Sequence, residues 1–167
     1  MDTQATIIGF IILLIVITPL ILIQASQKKK KKQSKKEFFE DAEKHHLDLK
    51  DVDFWGTYYA MATDEVANKL LYSKIINGVH NTAVIDLNTV NSCSIKKTER
   101  RLKNKTTNKS ETDKIDLVIS YKTSKKPASI LEFYNIDVNF EMSNESDMVK
   151  KWEAIINSKL LKSVKAA

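Results

Sequence analysis

The sequence predicts an α+β chain with one N-terminal membrane-spanning helix, seven short antiparallel strands and a closing C-terminal helix. Three features support this prediction. Residues 5–25 carry no charge, polar and apolar residues alternate with a period of two after Phe54, and apolar residues recur at helical spacing over 147–161. Antiparallel strands in this order favour a barrel-like sandwich, whose open end an amphipathic helix can close.

The first element is the apolar stretch "ATIIGFIILLIVITPLILIQA", residues 5–25. As a helix with about 1.5 Å rise per residue it is roughly 30 Å long, which matches the hydrocarbon core of a bilayer. A cleaved signal peptide would have positive charge before its apolar core and small residues at its cleavage site, whereas here Asp2 precedes the stretch and Ile23-Gln24-Ala25 ends it. A buried core helix of this length rarely lacks a polar face. We therefore predict a retained transmembrane helix.

Seven lysines follow the apolar stretch within residues 26–36, which we predict to be a cytoplasmic linker that stops translocation. Positive charges beside a membrane helix remain on the cytoplasmic side. They therefore predict a single pass through the inner or plasma membrane, with the N-terminus outside and the C-terminal domain in the cytoplasm. Removing these seven from the 27 basic residues, and Asp2 from the 21 acidic ones, leaves twenty of each, so the remainder has no net charge to attract polyanions. The lysines are Lys28, Lys29, Lys30, Lys31, Lys32, Lys35 and Lys36.

Two amphipathic helices are predicted to flank the strands. The first covers residues 37–50, where Phe38, Ala42, His45 and Leu49 recur at helical spacing and are expected to pack on the following domain. The second covers residues 147–161, with Ser146 as its N-cap. Its apolar stripe consists of Val149, Trp152, Ile156 and Leu160.

The seven strands are predicted from alternating side chains and from the turn residues between the runs. A turn is expected over 63–68, a reversal at Asn77-Gly78, where both residues accept a positive φ, and a polar loop over 99–112. The predicted strands cover residues 54–62, 69–76, 82–87, 90–98, 115–121, 128–134 and 138–142.

The segment "AVIDLNTVNSCSIKK" (residues 83–97) has the pattern of a strand, a short kink and a second strand, and a "DFW…YA…KLLY" run precedes it. With the order of seven strands and one helix, this pattern resembles the pleckstrin-homology-like (PH-like) domains of bacterial PH- and GRAM-type proteins over residues 54–161. The whole chain is similar to uncharacterised bacterial single-pass membrane proteins with a cytoplasmic domain of this type. PH domains that bind phosphoinositides place basic residues around the first hairpin loop. The loop predicted here carries Asp64 and Glu65 instead, so no lipid-binding residues are carried over.

A second basic cluster falls in and beside the predicted loop over 99–112. One interpretation is a solvated loop on a neutral domain, and the other is contact with an anionic partner, either lipid headgroups or a protein. A tethered domain could lay such a loop on the bilayer at little entropic cost. Nucleic acid is disfavoured for the lysines of residues 28–36, because no aromatic residues for base stacking are interleaved with them. The members of the second cluster are Lys96, Lys97, Arg100, Arg101, Lys103, Lys105 and Lys109.

The remaining reactive residue types do not form a recognisable catalytic or metal-binding pattern. His45 and His46 would point about 100° apart on a helix and so would not share a metal ion. His80 is predicted to be a solvated loop residue, and Cys93 a small buried strand residue. Three scattered glycines do not form a phosphate-binding loop.

These observations favour a membrane-anchored, non-enzymatic interaction module without cofactors or metal ions. Its partners would be the bilayer itself and either an anionic lipid surface or a protein. Two alternatives remain open at this point, namely an enzyme with an unrecognised site and a nucleic-acid-binding protein that uses residues 96–109.

Overall fold

The computed structural model describes residues 3–56, 59–76, 79–104, 107–139 and 141–165. They form an α+β structure with two antiparallel sheets and a C-terminal helix, which confirms the predicted fold at this level. The helices are α1 (Thr3–Lys44) and α2 (Glu145–Lys165), and a short 3-10 helix covers Leu87–Thr89. The strands are β1 (Leu49–Trp55), β2 (Tyr59–Asp64), β3 (Lys69–Ile76), β4 (Val79–Asp86), β5 (Val90–Asn104), β6 (Thr107–Tyr121) and β7 (Ser129–Asn135).

Helix α1 is continuous over 42 residues and contains Pro19. The residues predicted to be a linker, 26–36, are therefore helical. Among the residues that the structure describes, no helix is both long enough and apolar enough to cross a membrane. The chain divides into two compact units, residues 1–39 and 40–167.

The helix predicted over 37–50 is wrong at its C-terminal end, because α1 ends at Lys44 and Leu49 already belongs to β1. His46 stops the helix by adopting a left-handed conformation with φ 52°. The amide of His46 donates to the carbonyl oxygen of Glu43, and the amide of Leu47 donates to that of Ala42, each at 3.0 Å. This pair of bonds is the Schellman arrangement that commonly ends a helix.

The first four strands form one sheet in the order β1-β2-β3-β4. The single strand predicted over 54–62 is wrong, because the chain leaves β1 at Trp55 and reverses into β2. Gly56 permits this reversal with a φ of 53°, a backbone conformation that residues with a side chain rarely adopt. The strand predicted over 69–76 is confirmed by β3. The reversal predicted at Asn77-Gly78 lies outside the described residues.

The last three strands form the second sheet in the order β5-β6-β7. Strand β7 pairs with β6 only from Lys114 to Ile119, whereas β5 and β6 remain paired as far as Asn104 and Thr107. The loop predicted over 99–112 is therefore wrong. Within this range, residues 99–104 and 107–112 form a two-stranded ribbon, which we call the basic arm. At about 3.3 Å per residue, residues 99–104 extend it by roughly 20 Å.

Helix α2 contributes Val149, Trp152 and Ile156 to the core, all completely buried, as its apolar stripe predicted. The helix begins at Glu145, so Ser146 is not its N-cap. Glu145 is buried, and its carboxylate accepts a hydrogen bond from the amide of Ser143 at 2.6 Å.

The strand predicted over 138–142 is also wrong. Residues 136–138 form a turn, and residues 139, 141 and 142 belong to no strand, while 140 lies outside the described residues. The amide of Asn139 donates to the carbonyl oxygen of Asn135 at 2.9 Å, which folds the chain back after β7.

Candidate functional site

Apart from Lys105, which lies outside the described residues, the second basic cluster lies on β5 and β6, at the base of the basic arm and along it. Lys96, Lys97 and Arg100 are exposed residues of β5. The Nε atom of Arg100 lies 3.3 Å from a carboxylate oxygen of Asp113, so part of its charge is compensated. The side chains of residues 101–109, which include those of Arg101, Lys103, Lys105 and Lys109, lie outside the described part of the chain.

A row of charged residues crosses the second sheet below the arm. Lys96 on β5 pairs in register with Asp116 on β6, which pairs in register with Glu132 on β7. Burial, and then the charge of Glu132, raise the pKa of Asp116. The Glu132 carboxylate lies 3.7 Å from Nζ of Lys74 and 3.9 Å from Nζ of Lys114. Sequence analysis missed this row, because only the strand register brings its members together.

The outer edge of β7 is closed by side chains of the first sheet. The indole Nε1 of Trp55 donates to the carbonyl oxygen of Phe133 at 3.0 Å, and the Tyr72 hydroxyl donates to that of Glu132 at 2.6 Å. The rings of Trp55 and Phe133 stack with their centroids 4.5 Å apart. The Tyr59 hydroxyl also donates to the Glu132 carboxylate at 3.0 Å. These contacts join the two sheets along the side of β7 on which no described strand pairs with it.

The inner part of the β5 edge is closed in a similar way by α2. The Glu153 carboxylate accepts a hydrogen bond from the amide of Ile95 at 3.0 Å, and Nδ2 of Asn157 donates to the carbonyl oxygen of Cys93 at 3.2 Å. Burial, and then the charge of Glu153, raise the pKa of Cys93 to about 12. The thiol is therefore protonated near neutral pH, and its burial agrees with the predicted role of a small buried strand residue.

His80 is not the solvated loop residue that the sequence predicted, because it lies on β4 within a chain of hydrogen-bonding groups. Its Nε2 atom lies 2.6 Å from the Ser73 hydroxyl, and its Nδ1 atom lies 3.3 Å from the Asp41 carboxylate. The Thr82 hydroxyl donates to the same carboxylate at 2.5 Å. Burial opposes the charge of Asp41, but the hydrogen bonds from Thr82 and Lys44 outweigh it and lower the pKa of Asp41.

His80 contacts Ser73 on one side and Asp41 on the other, which is the order of contacts in the Ser-His-Asp triad of serine hydrolases. Ser73, however, is only 3% exposed and lies in the middle of β3, directly opposite Thr82. A nucleophilic serine is instead presented to substrate on an exposed turn. The geometry therefore fits a hydrogen-bonded clasp between the end of α1 and strands β3 and β4.

The acidic loop that sequence analysis assigned to the first hairpin belongs to the second, because Asp64 ends β2 and Glu65 follows it. Asp64 is buried, and its carboxylate accepts hydrogen bonds from the amides of Ala67 and Asp48 at 2.8 Å each. These bonds lower the pKa of Asp64. Asp64 therefore stabilises the turn and does not bear on the charge around the first hairpin.

The seven lysines of residues 28–36 are exposed on α1. No cluster of three or more His, Cys, Asp or Glu side chains that could hold a metal ion occurs among the described residues. Neither the protein-family models, the curated proteins nor the solved structures contain a match to this chain.

Proposed function

We propose that this protein is a membrane-anchored, non-enzymatic interaction module that presents a cytoplasmic PH-like domain to an anionic partner. Residues 5–25 form the single transmembrane anchor, with the N-terminus outside, and the lysines of residues 28–36 fix this orientation. Support for the anchor comes from the absence of charge over 21 helical residues. Support for a PH-like domain comes from the order of four strands, three strands and a C-terminal helix.

The observation that carries the proposed interaction is the basic arm. The segment 99–112 contains five basic and two acidic residues, and Lys96 and Lys97 precede it. The other residues after position 36 include 13 basic and 18 acidic ones, so positive charge is concentrated at the arm. Concentrated charge on a projecting element favours contact with anionic lipid headgroups or with an acidic protein.

Reporter fusions and alkaline carbonate extraction test the membrane anchor. The full-length chain should remain in the membrane fraction, and a reporter fused after Ala167 should be active only in the cytoplasm. A chain that is extracted by carbonate, or a C-terminal reporter that is active outside the cell, would contradict the anchor.

Binding to two polyanionic probes tests the arm. The full-length protein in nanodiscs of zwitterionic lipid is mixed with vesicles that contain anionic lipid, or with poly-glutamate. Binding to at least one probe should fall with salt and should be lost when Arg100→Glu and Arg101→Glu are combined. The matched control combines Lys125→Glu and Lys150→Glu, which make the same change in net charge away from the arm and should leave binding intact. Binding that both pairs reduce equally would remove the arm from the proposal.

The alternative with a specific observation in its favour is an enzyme that uses Ser73, His80 and Asp41. A fluorophosphonate probe reacts with serine nucleophiles that a histidine activates. We expect no labelling of the native protein, because Ser73 is buried. Labelling that Ser73→Ala and His80→Ala both abolish would favour the enzyme instead.

A further inference from the structure

We infer that the β5 edge of the basic arm binds an acidic, extended polypeptide segment as an added strand. This inference rests on the proposed function, since it names the partner of the same arm and its mode of binding. Strand addition combines main-chain hydrogen bonds with side-chain contacts to the partner, and it requires a sheet edge that is accessible.

The accessibility of this edge follows from a contrast within the second sheet. Trp55 and Tyr72 cover carbonyl groups of β7, and Glu153 and Asn157 cover the backbone of β5 at Ile95 and Cys93. Beyond Ile95, no described strand pairs with this edge of β5, and no described side chain donates to or accepts from the backbone of residues 97–100.

The backbone alternation of β5 identifies the residues whose hydrogen-bonding groups point outward. Cys93 and Ile95 direct their carbonyl oxygen and amide toward α2, away from β6. Backbone groups of a strand alternate in direction, so Lys97 and Glu99 also point outward. The register shift between Thr98 and Glu99 places its extra residue, Asp113, on β6, and the alternation of β5 is therefore kept.

The charge of the arm selects an acidic occupant. Lysine and arginine on an edge strand disfavour pairing with another basic strand, because like charges would lie opposite each other. A second copy of this arm is therefore a poor occupant. An extended segment that carries Asp or Glu would place carboxylates beside Lys97 and Arg100, both of which are exposed.

A proline substitution separates strand addition from attraction by charge alone. Glu99→Pro removes an outward amide and one negative charge, whereas the matched variant Glu99→Gln removes only the charge. Proline is tolerated on an edge strand where its nitrogen faces away from the paired strand. The probe is a synthetic peptide of alternating Glu and Val, with full-length protein in zwitterionic nanodiscs. We expect the Glu99→Gln variant to bind the peptide at least as tightly as the native protein does. The affinity of the Glu99→Pro variant should be lower by a factor of about ten or more.

Amide hydrogen exchange on the native protein provides a second measurement that does not depend on the folding of the proline variant. Peptide binding should slow exchange at Lys97 and Glu99, while Thr98 and Arg100, which face β6, should change little. The same peptide with N-methylated amides keeps its charge but should bind more weakly and should not slow exchange at these two amides.

Several outcomes would overturn strand addition. Equal peptide binding by Glu99→Pro and Glu99→Gln would reduce the contact to charge alone and would leave the proposed function intact. Binding to anionic vesicles but not to the peptide would identify lipid as the partner. A dimer that Glu99→Pro disrupts would identify a second copy as the occupant. Failure of both polyanions and the peptide to bind would reject the proposed role of the arm as well.

Discussion

The edges of the second sheet differ in whether side chains bind their outward backbone groups. Along β7 and the inner part of β5, side chains from the first sheet and from α2 occupy the outward backbone groups. Along the basic arm, β5 and β6 continue beyond β7, and no described side chain binds the backbone of residues 97–100. Exposed charged residues lie there instead. Natural sheets use both devices to prevent unwanted strand pairing, but only the first also joins elements into a core. The closed edges should therefore determine stability, and the arm should determine binding.

The largest expected effect of this difference is at Phe133 on the closed edge. Its ring is completely buried and stacks on Trp55. Phe133→Ala should lower the free energy of unfolding by about 3–5 kcal/mol, through lost burial and a cavity. The control Ile130→Ala lies on the same strand but is 62% exposed, so it should change this free energy by less than about 0.5 kcal/mol. Chemical denaturation measures both variants, and similar losses would contradict a closed edge that stabilises the core.

Removing one hydroxyl group should have a smaller effect at the same edge. Tyr72→Phe leaves the carbonyl oxygen of Glu132 without its donor in a buried environment. Tyr72→Phe should therefore lower the free energy of unfolding by about 1–3 kcal/mol. Tyr121→Phe is the control, because the Tyr121 hydroxyl contacts the Ser129 hydroxyl in a half-buried position where water can replace it. If Tyr121→Phe lowered the free energy of unfolding as much as Tyr72→Phe does, the effect of the Tyr72 hydroxyl could not be assigned to closure of the β7 edge.

The hydrogen bond between Glu153 of α2 and the Ile95 amide should contribute less to stability, because it lies at a half-buried position. Glu153→Ala removes the acceptor of the Ile95 amide and should cost about 1 kcal/mol. Hydrogen exchange at Ile95 should accelerate, whereas exchange at Lys97 should not change, since no described side chain of α2 binds its backbone. Glu153→Gln keeps an acceptor oxygen and should preserve most of the protection. Equal acceleration at Ile95 and Lys97 would mean that α2 covers the whole length of β5.

Sequence reasoning found the elements whose two faces differ in polarity. The buried stripe of α2 and the alternation in β6, where residues 115, 117 and 119 are buried, are visible because one face of each contacts the core. The arm was predicted to be a loop, since both of its faces are polar and no hydrophobic alternation marks it as a strand. The separation of β1 from β2 was missed, because Gly56, which has a positive φ after β1, lies within an aromatic run that otherwise has the composition of one strand.

The candidate site could be predicted only in part. The basic residues of the arm were identified, because charge is a property of the sequence. Their placement on paired strands was not, and neither was the row formed by Lys96, Asp116 and Glu132, which depends on the register of three strands. The contact of His80 with Ser73 and Asp41 also escaped prediction, since it joins residues of α1, β3 and β4 that only the tertiary fold brings together.

The smallest expected effect lies where the closed part of the sheet meets the arm, at Asp116. Burial and the neighbouring charge of Glu132 raise its pKa in the folded protein above the usual 3.8. The ionised carboxylate therefore costs stability near neutral pH, and this cost disappears as the pH falls through the raised pKa. Asp116→Asn should consequently raise the midpoint of thermal unfolding slightly at pH 7. Its advantage over the native protein should shrink as the pH is lowered toward 3.8.

Asp113→Asn provides the control, because it removes the same charge from the same strand. Asp113 contacts Arg100 at the base of the arm, so its loss should leave the unfolding midpoint unchanged or slightly lower. The difference in unfolding midpoint between the two variants shows whether stability depends on the repulsion between Asp116 and Glu132 or only on the number of acidic residues on β6. If Asp116→Asn were neutral at pH 7, or if its advantage grew on acidification, the row of Lys96, Asp116 and Glu132 would be a balanced ion network. The boundary between the closed edge and the arm would then carry no electrostatic cost.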